Sequence, residues 1–312
     1  MTKLPMFKSK VFLAPMAGIT DPAFRLLCLE QGAGLVITEL TSIHAIVAKE
    51  KIAGKEEMLD FVSFSGKEHP IGIQLFGSNI EETKKAVELV EPYFDIIDFN
   101  IGCPAQHITA QMAGAALLDK PEHMEKLLST LVSSTNKPVS IKMRSGVTKN
   151  NKLFLRIGKI AEDVGVSMVA LHPRTVEQGY SGNSDWTLIK ELKEKISVPV
   201  IGNGDIRSPI EAKQMFEETG CDYIMIGRAA MGNPFIFKQV NNYLLNGTIE
   251  EISLEKKKNE FLKYATLTEK YVVPFPNIKS QAMYFTRGLV GGAQLRTKIS
   301  KTKTVDEIRD LF

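Results

Sequence analysis

Eight short apolar runs, rich in β-branched residues, recur through the first three quarters of this 312-residue chain and limit its fold more than any other feature. The runs are residues 11–14, 35–38, 71–76, 96–100, 139–144, 168–172, 199–203 and 223–227. Amphipathic segments lie between them, among them 80–90, 123–133, 154–164 and 209–218. Eight strands alternating with helices over about 240 residues predict an α/β fold, a (β/α)8 TIM barrel rather than an open doubly wound sheet.

The strand pattern stops after residue 246, and the rest of the chain is predicted to form a small C-terminal helical domain. Helical segments are predicted at 254–271 and 278–287, with Pro274 and Pro276 forcing a break between them. The predicted domains are a barrel of residues 1–246 and a helical domain of residues 247–312.

Composition excludes several classes of protein. The chain is 44% hydrophobic and 24% charged, as in globular proteins, and no run approaches the roughly 18 apolar residues of a membrane span. The first ten residues lack the apolar core of a signal peptide, so we expect a cytoplasmic protein with no membrane association. The three cysteines form no C-x-x-C pair and the five histidines show no ligand spacing, so no metal site is predicted.

The basic residues are concentrated near the C-terminus. Residues 270–305 contain seven lysines and arginines and no acidic residue, interleaved with Tyr271, Tyr284 and Phe285. Solvated helix faces normally mix both signs of charge, so this segment is a candidate surface for a polyanion. An ordinary basic tail is the structural alternative.

Cys103 follows the fourth predicted strand on a loop punctuated by Gly102 and Pro104. This places a thiol at the carboxyl end of a strand, where (β/α)8 enzymes carry their chemistry. The alternative is a half-buried packing cysteine, the usual state of a free cysteine.

Other strand ends also carry reactive or polar side chains. They are Gln74 on the third strand, Asn100 on the fourth, Lys142 and Arg144 on the fifth, His172 and Arg174 on the sixth, Asn203 and Asp205 on the seventh, and Arg228 on the eighth. Loops after the last two strands of such barrels often bind phosphate, and Gly204 and Gly227 permit close backbone approach there. A phosphorylated aromatic cofactor fits this ring of residues. Taken singly, each residue could instead have a structural role, in a turn, in an ion pair or as a buried core imidazole. No G-x-G-x-x-G motif follows the first strand and no P-loop motif occurs, so no separate nucleotide domain is predicted.

The chain resembles the tRNA-dihydrouridine synthases, FMN-dependent enzymes, over nearly its whole length. The segments that carry the resemblance are Ala14-Pro15-Met16-Ala17-Gly18-Ile19-Thr20-Asp21-Pro22-Ala23-Phe24-Arg25, Gln74-Leu75-Phe76-Gly77, Asn100-Ile101-Gly102-Cys103-Pro104, Lys142-Met143-Arg144, His172-Pro173-Arg174-Thr175, Asn203-Gly204-Asp205-Ile206 and Ile226-Gly227-Arg228. Residues 284–289 and 292–296 resemble the core of the C-terminal helical domain with which the family grips tRNA. The Pro15-Met16-Ala17 and Gly102-Cys103-Pro104 segments together make the resemblance specific.

The resemblance implies roles for individual residues. FMN would be held by Pro15, Met16, Ala17, Gln74, Lys142, His172, Asn203, Gly204, Asp205, Gly227 and Arg228. Cys103 would donate a proton to C5 of a uracil, while hydride from reduced flavin reaches C6 from the opposite face. The tRNA substrate would contact Asn100, Arg174, Lys279, Arg287, Arg296 and Lys298, with NADPH as a transient reductant.

Two residues depart from the family pattern in the loop after the cysteine. His107 stands where the family commonly has Lys or Arg, and Met112 stands where a glycine is usual. Both positions bear on substrate fit, so the target uridine stays open.

Three other functions stay open on the sequence. An FMN-dependent small-molecule oxidoreductase of the dihydroorotate dehydrogenase type would share the phosphate ring and the thiol, but would not need a basic, acid-free tail. A non-catalytic RNA-binding barrel would not need Cys103, Lys142 and His172. An aldolase that uses Lys142 for a Schiff base, or a metal ion, predicts a colourless protein.

Overall fold

The computed structural model describes residues 2–148 and 151–312, and it confirms the predicted barrel. The strands are β1 Val11–Leu13, β2 Val36–Ile37, β3 Thr41–Ser42, β4 Ile71–Phe76, β5 Ile96–Ile101, β6 Val139–Arg144, β7 Met168–His172, β8 Val200–Asn203 and β9 Tyr223–Ile226. They form one parallel sheet in the order β1-β9-β8-β7-β6-β5-β4-β2, with β3 also paired to β4.

The sheet closes into a barrel because β1 and the segment that leads into β2, at the two ends of this order, are also hydrogen-bonded to each other. The N–H of Leu13 donates to the carbonyl of Leu35 at 2.9 Å, and the N–H of Gly34 donates to the carbonyl of Val11 at 2.8 Å. Closure brings the carboxyl ends of eight barrel strands into one ring, which is where such barrels place their active sites.

The second barrel strand differs from the single run predicted at 35–38, because it is split into β2 and β3. Between the two pieces the Thr38 hydroxyl accepts a hydrogen bond from the N–H of Gln74 and donates to the carbonyl of Glu39. A side chain thus replaces part of the backbone ladder, which apolar patterning alone does not reveal.

Fourteen α-helices are present in the part of the chain that the structure describes. In the barrel they are α1 Pro22–Glu30, α2 Ile43–Ala53, α3 Lys55–Val62, α4 Ile80–Val90, α5 Gln106–Thr109, α6 Pro121–Ser133, α7 Leu153–Asp163, α8 Thr187–Lys195, α9 Pro209–Thr219 and α10 Ile236–Asn246. Beyond it lie α11 Leu254–Lys270, α12 Phe275–Phe285, α13 Gly292–Lys301 and α14 Val305–Arg309. None of these helices is long and apolar enough to cross a membrane.

The predicted break at Pro276 is wrong, because α12 begins at Phe275 and contains this proline in its first turn. Proline is tolerated there, since the first N–H groups of a helix have no partner within it. Pro274 does separate the two helices, as the residue that precedes α12.

The C-terminal helices pack on the start of the barrel through buried polar contacts. The Tyr264 hydroxyl on α11 donates to Asp21 Oδ2 at 2.8 Å, and Gln281 Nε2 on α12 donates to the carbonyl of Ile19 at 2.8 Å. Burial raises the pKa of Asp21 to about 6. These contacts fix α11 and α12 against the loop that follows β1; the predicted domain boundary after residue 246 stays a prediction.

Candidate active site

A cavity of about 410 Å³ opens at the carboxyl ends of the barrel strands. It is lined by Ala14, Pro15, Met16, Lys142, His172, Tyr180, Asn203, Gly204, Asp205, Ile206, Arg207, Met225, Gly227, Arg228, Ala229 and Arg287. Nine of the eleven residues predicted to hold a cofactor are in this lining, and Ala17 and Gln74 are not. Its volume is in the range of small-molecule and cofactor sites.

Two basic side chains form part of the cavity wall. Burial, and secondarily the charge of Arg144, lower the pKa of Lys142 to about 8. Burial, with the nearby charges of Lys142, Arg144 and Arg174, lowers the pKa of His172 to about 2. His172 is therefore neutral, and its Nε2 faces a guanidinium N–H of Arg174 at 3.3 Å. Because that nitrogen must accept, the ring proton lies on Nδ1.

The carboxylate of Asp205 connects three arginines at the rim. Its Oδ2 accepts from Arg174 at 2.7 Å and from the N–H of Ser184 at 2.8 Å, while Oδ1 accepts from Arg228 at 2.8 Å and lies 3.4 Å from Arg207. Burial alone would raise the pKa of Asp205, but these hydrogen bonds and charges outweigh it and lower the pKa. Asp205 itself has φ +55°, a left-handed conformation next to Gly204 at φ +133°.

Arg174, predicted to contact tRNA, lies instead inside the protein, with 1% of its side chain exposed. Its five N–H groups are shared among the carbonyls of Ser181 and Gly182, the Ser184 hydroxyl, His172 Nε2 and Asp205. A guanidinium has only five donors, so none is left for an RNA phosphate. In this structure Arg174 fixes the loop of residues 181–184 and the orientation of His172.

Asn100 holds the loop that carries Cys103. Its Oδ1 accepts the N–H groups of Gly102 and Cys103 at 3.0 and 2.8 Å, and its Nδ2 donates to Gln74 Oε1 at 3.0 Å. The carbonyl of Cys103 accepts the N–H of Ala115 at 2.9 Å. The thiol stays partly exposed and within electrostatic range of Lys142, although it does not line the cavity itself.

The Gln74 side chain is fully buried and supports Asn100 through the hydrogen bond that its Oε1 accepts. Its Nε2 donates to Asp98 Oδ2 at 2.7 Å, and Asp98 Oδ1 accepts the hydroxyl of Ser140 at 2.6 Å. Burial raises the pKa of Asp98 to about 6. The polar row Ser140, Asp98, Gln74 and Asn100 thus runs across β6, β5 and β4 to the cysteine loop.

The loop after Cys103 is tightly packed at Gly114. A Cβ at Gly114 would lie 2.7 Å from the carbonyl oxygen of Cys103, and its φ is +57°. Met112, predicted to stand at a glycine position, has φ +58°, a conformation that L-residues adopt at a cost of about 1 kcal/mol. His107 is exposed on α5.

The sequence matches one known protein family over nearly its whole length. The family model for dihydrouridine synthase (Dus) matches residues 12–310. The chain belongs to the dihydrouridine synthase family. Two relatives named tRNA-dihydrouridine synthase B are similar to it: one from Vibrio vulnificus is 40% identical and one from Escherichia coli is 36% identical. The alignment with the Vibrio protein covers 82% of this chain and 78% of that protein. The alignment with the Escherichia protein covers 78% of this chain and 74% of that protein.

A solved structure confirms the barrel of this dihydrouridine synthase family member. The structure of a variant of NCR from Zymomonas mobilis superposes with a TM-score of 0.52 at 14% identity, covering 80% of this chain and 91% of that one. At this level of identity the likeness concerns the fold alone.

The residues predicted to contact tRNA near the C-terminus of this family member lie in the region of α12 and α13. Arg287 is exposed and lines the cavity; Lys298 is exposed on α13. Lys279 donates to the carbonyl of Thr302 at 2.8 Å, and Arg296 donates to the Thr286 hydroxyl at 3.1 Å. Among these four residues, Arg287 is the one that the structure places at the cavity.

Sequence reasoning missed Tyr180 and Arg207, which both line the cavity of this dihydrouridine synthase family member. The Tyr180 ring lies over the guanidinium groups of Arg228 and Arg144, at 5.0 and 5.7 Å from its centroid. It belongs to a long loop after β7 that contains Gly179 and Gly182. Loops at the carboxyl ends of barrel strands carry function, so the length of this loop was a usable signal.

Proposed function

We propose that this protein is a tRNA-dihydrouridine synthase that uses FMN and NADPH, in the cytoplasm, to reduce the C5=C6 bond of specific uridines in tRNA. One observation carries the proposal: a cation-lined cavity and a partly exposed thiol lie together at the carboxyl ends of the strands in a member of the dihydrouridine synthase family. An enzyme of this kind is a flavin-dependent oxidoreductase.

The residues present fit FMN. Gly204 and Gly227, followed by Arg228, lie at the ends of β8 and β9, where backbone N–H groups and a half-exposed guanidinium suit a phosphate. Pro15, Met16, Met225 and Ala14 give one side of the cavity an apolar surface suited to a flat ring. Bound there, reduced FMN would supply the hydride for C6 of the uracil.

Lys142 and the neutral His172 would be donors to the polar edge of the bound ring. A protonated Lys142 in a largely buried site stabilises negative charge more strongly than a lysine in water. Gln74 is proposed to contribute through Asn100 and the cysteine loop, because both ends of its amide already have protein partners.

The Lys142 ammonium gives flavin binding a predictable pH dependence. Its pKa near 8 in the free protein means that FMN binding, which favours the protonated form, weakens as the pH rises through about 8. Titrations of FMN fluorescence between pH 7 and 9.5 should show affinity falling up to about tenfold per pH unit above pH 8. Lys142→Met should remove this dependence, and Lys126→Met, an exposed lysine on α6, should keep it. A wild-type profile in Lys142→Met would contradict the assignment.

Cys103 would donate the proton to C5. Asn100 accepts hydrogen bonds from the N–H groups of Gly102 and Cys103 and so fixes the backbone that carries the thiol. The position of the sulfur is therefore restricted to the rotamers of a short side chain. A thiol carries a proton that it can donate, which suits a general acid.

The target uridine must leave its stack to reach the cavity, as with other enzymes that modify a base. Arg287, Arg296, Lys298 and Lys279 are proposed to hold the surrounding tRNA in the predicted helical domain of residues 247–312. Phosphate contacts of this kind weaken as salt rises.

The test is reduction of an unmodified tRNA transcript by the purified, FMN-loaded protein with NADPH. We expect dihydrouridine at defined positions, detected by mapping of the product, and loss of the same positions in tRNA from cells lacking the protein. Uridine and orotate should be much poorer substrates. Reduction of orotate with no reduction of tRNA would instead favour the small-molecule oxidoreductase.

A further inference from the structure

A second cavity, of about 470 Å³, lies beside the first and shares Arg287 with it. It is lined by Ser280, Met283, Tyr284, Arg287, Gly288 and Arg296. We propose that this second cavity binds one nucleotide next to the target uridine, its base against Tyr284 and its phosphate at Arg287 and Arg296. The proposal rests on the proposed function, since it assumes a tRNA substrate.

The side chains in this cavity suit a nucleotide. The guanidinium of Arg287 lies 4.3 Å from the ring centroid of Tyr284, so a cation and an aromatic face are presented together. Unpaired bases of RNA stack on such aromatic and guanidinium planes, while their phosphates take arginine donors. Met283 adds an apolar edge, and the Ser280 hydroxyl adds a polar one.

Both arginines have donors to spare. Within residues 2–148 and 151–312, neither Arg287 nor Arg296 forms an ion pair with a carboxylate, and the Arg296 guanidinium has one hydrogen bond, to the Thr286 hydroxyl. The flanking sequence 270–305 contains no acidic residue that could pair with them. Two arginines without counter-ions, in a cavity that also contains an aromatic ring, indicate an anionic ligand.

The two cavities are held at a fixed spacing by direct backbone packing. Gly232, at φ +66° in the loop after β9, abuts the end of α12 so closely that a Cβ there would lie 2.3 Å from the carbonyl carbon of Tyr284. The same loop begins with Gly227 and Arg228 at the first cavity. Phe285 and Thr286, directly after Tyr284, are buried. Since Arg287 borders both cavities, a strand with its uridine in the first can place a neighbouring nucleotide in the second.

The experiment combines a change in the protein with a change in the RNA. Once the target uridine is mapped, tRNAs are made with an abasic nucleotide on its 5′ or its 3′ side, and their affinities are measured for wild-type protein and for Tyr284→Ala. In wild type, the abasic change on one side should weaken binding about tenfold, the typical loss of one stacked base. Tyr284→Ala should bind the intact tRNA about tenfold more weakly than wild type does. Its affinity should not fall further when the tRNA carries that abasic nucleotide.

Two further variants separate stacking from other effects. Tyr284→Phe keeps the ring and should bind like wild type, and Tyr243→Ala, a tyrosine on α10 outside both cavities, should show the wild-type abasic penalty. Retained FMN shows that a variant is folded. If Tyr284→Ala loses FMN, Tyr284→Leu, which removes the aromatic ring but keeps a larger apolar side chain, enters the same cycle and should also remove most of the abasic penalty.

Two results would overturn the proposal. One is that Tyr284→Ala and each abasic change, 5′ or 3′, weaken tRNA binding independently, so that the losses of binding free energy simply add. The other is normal tRNA binding by Tyr284→Ala with a raised NADPH requirement for flavin reduction, which would assign the cavity to the nucleotide of the reductant. Neither result touches the proposed function, which fails only if wild type forms no dihydrouridine in tRNA.

Discussion

Cys103→Ala should bind FMN and be reduced by NADPH like wild type, yet form dihydrouridine about 10²- to 10⁴-fold more slowly, the usual range for loss of a positioned general acid. Flavin binding should survive because the thiol does not line the cavity and no side-chain hydrogen bond to it is present in the part of the chain that the structure describes. Single-turnover formation of dihydrouridine, started from reduced enzyme and tRNA, measures reduction of the base, by hydride and proton together, separately from reduction of the flavin by NADPH.

Cys221→Ala is the matched control. Cys221 is buried in the hydrophobic core, just before β9 at the opposite end of that strand from the cavity, so its loss should leave the single-turnover rate unchanged. Full activity of Cys103→Ala at the wild-type rate would remove this cysteine from the mechanism.

The barrel could be predicted because its strands carry a strong local signal. β4 through β9 are buried except for the half-buried Lys142 and Tyr223, so the sequence shows them as short runs rich in Val, Ile, Leu and Met between polar helices. The parallel arrangement then places every strand's carboxyl end in one ring. That is why Lys142, His172, Asn203, Gly204 and Arg228 could be grouped from strand ends alone, and the structure brings all five to one cavity.

The same reasoning could not show what each polar group bonds to. Gln74 lies on the predicted strand but does not line the cavity, because its side chain is buried and both ends of its amide are hydrogen-bonded, to Asp98 and to Asn100. Tyr180 reaches the cavity from a loop whose path depends on Arg144 and Arg174 contacting its backbone. Most of these contacts join residues 24 or more positions apart, and the contact of Arg174 with Ser181 depends on the path of the loop, so no local pattern encodes them.

Arg174 was predicted to contact tRNA but is buried, and replacing it should have a large effect on stability. Arg174→Met should lower the free energy of unfolding by about 3 kcal/mol, because it removes the buried ion pair with Asp205 and leaves the carbonyls of Ser181 and Gly182 without the donors that hold their loop. Urea unfolding at pH 7 measures the loss. The lowered pKa of Asp205 contributes stability above the pKa of an unfolded aspartate, so the gap between wild type and variant should shrink as the pH falls through the folded pKa.

Arg207→Met is the control for this prediction, because it removes the same charge next to the same carboxylate from a side chain that is 63% exposed. An exposed ion pair at 3.4 Å contributes little, so Arg207→Met should change the free energy of unfolding by less than about 1 kcal/mol. If Arg174 holds the loop, Arg174→Met lowers the free energy of unfolding. If Arg174 contacts tRNA, the same variant keeps its stability and loses affinity for tRNA. If Arg174→Met unfolds like wild type but loses affinity for tRNA, Arg174 faces the RNA and its buried hydrogen bonds do not describe its role.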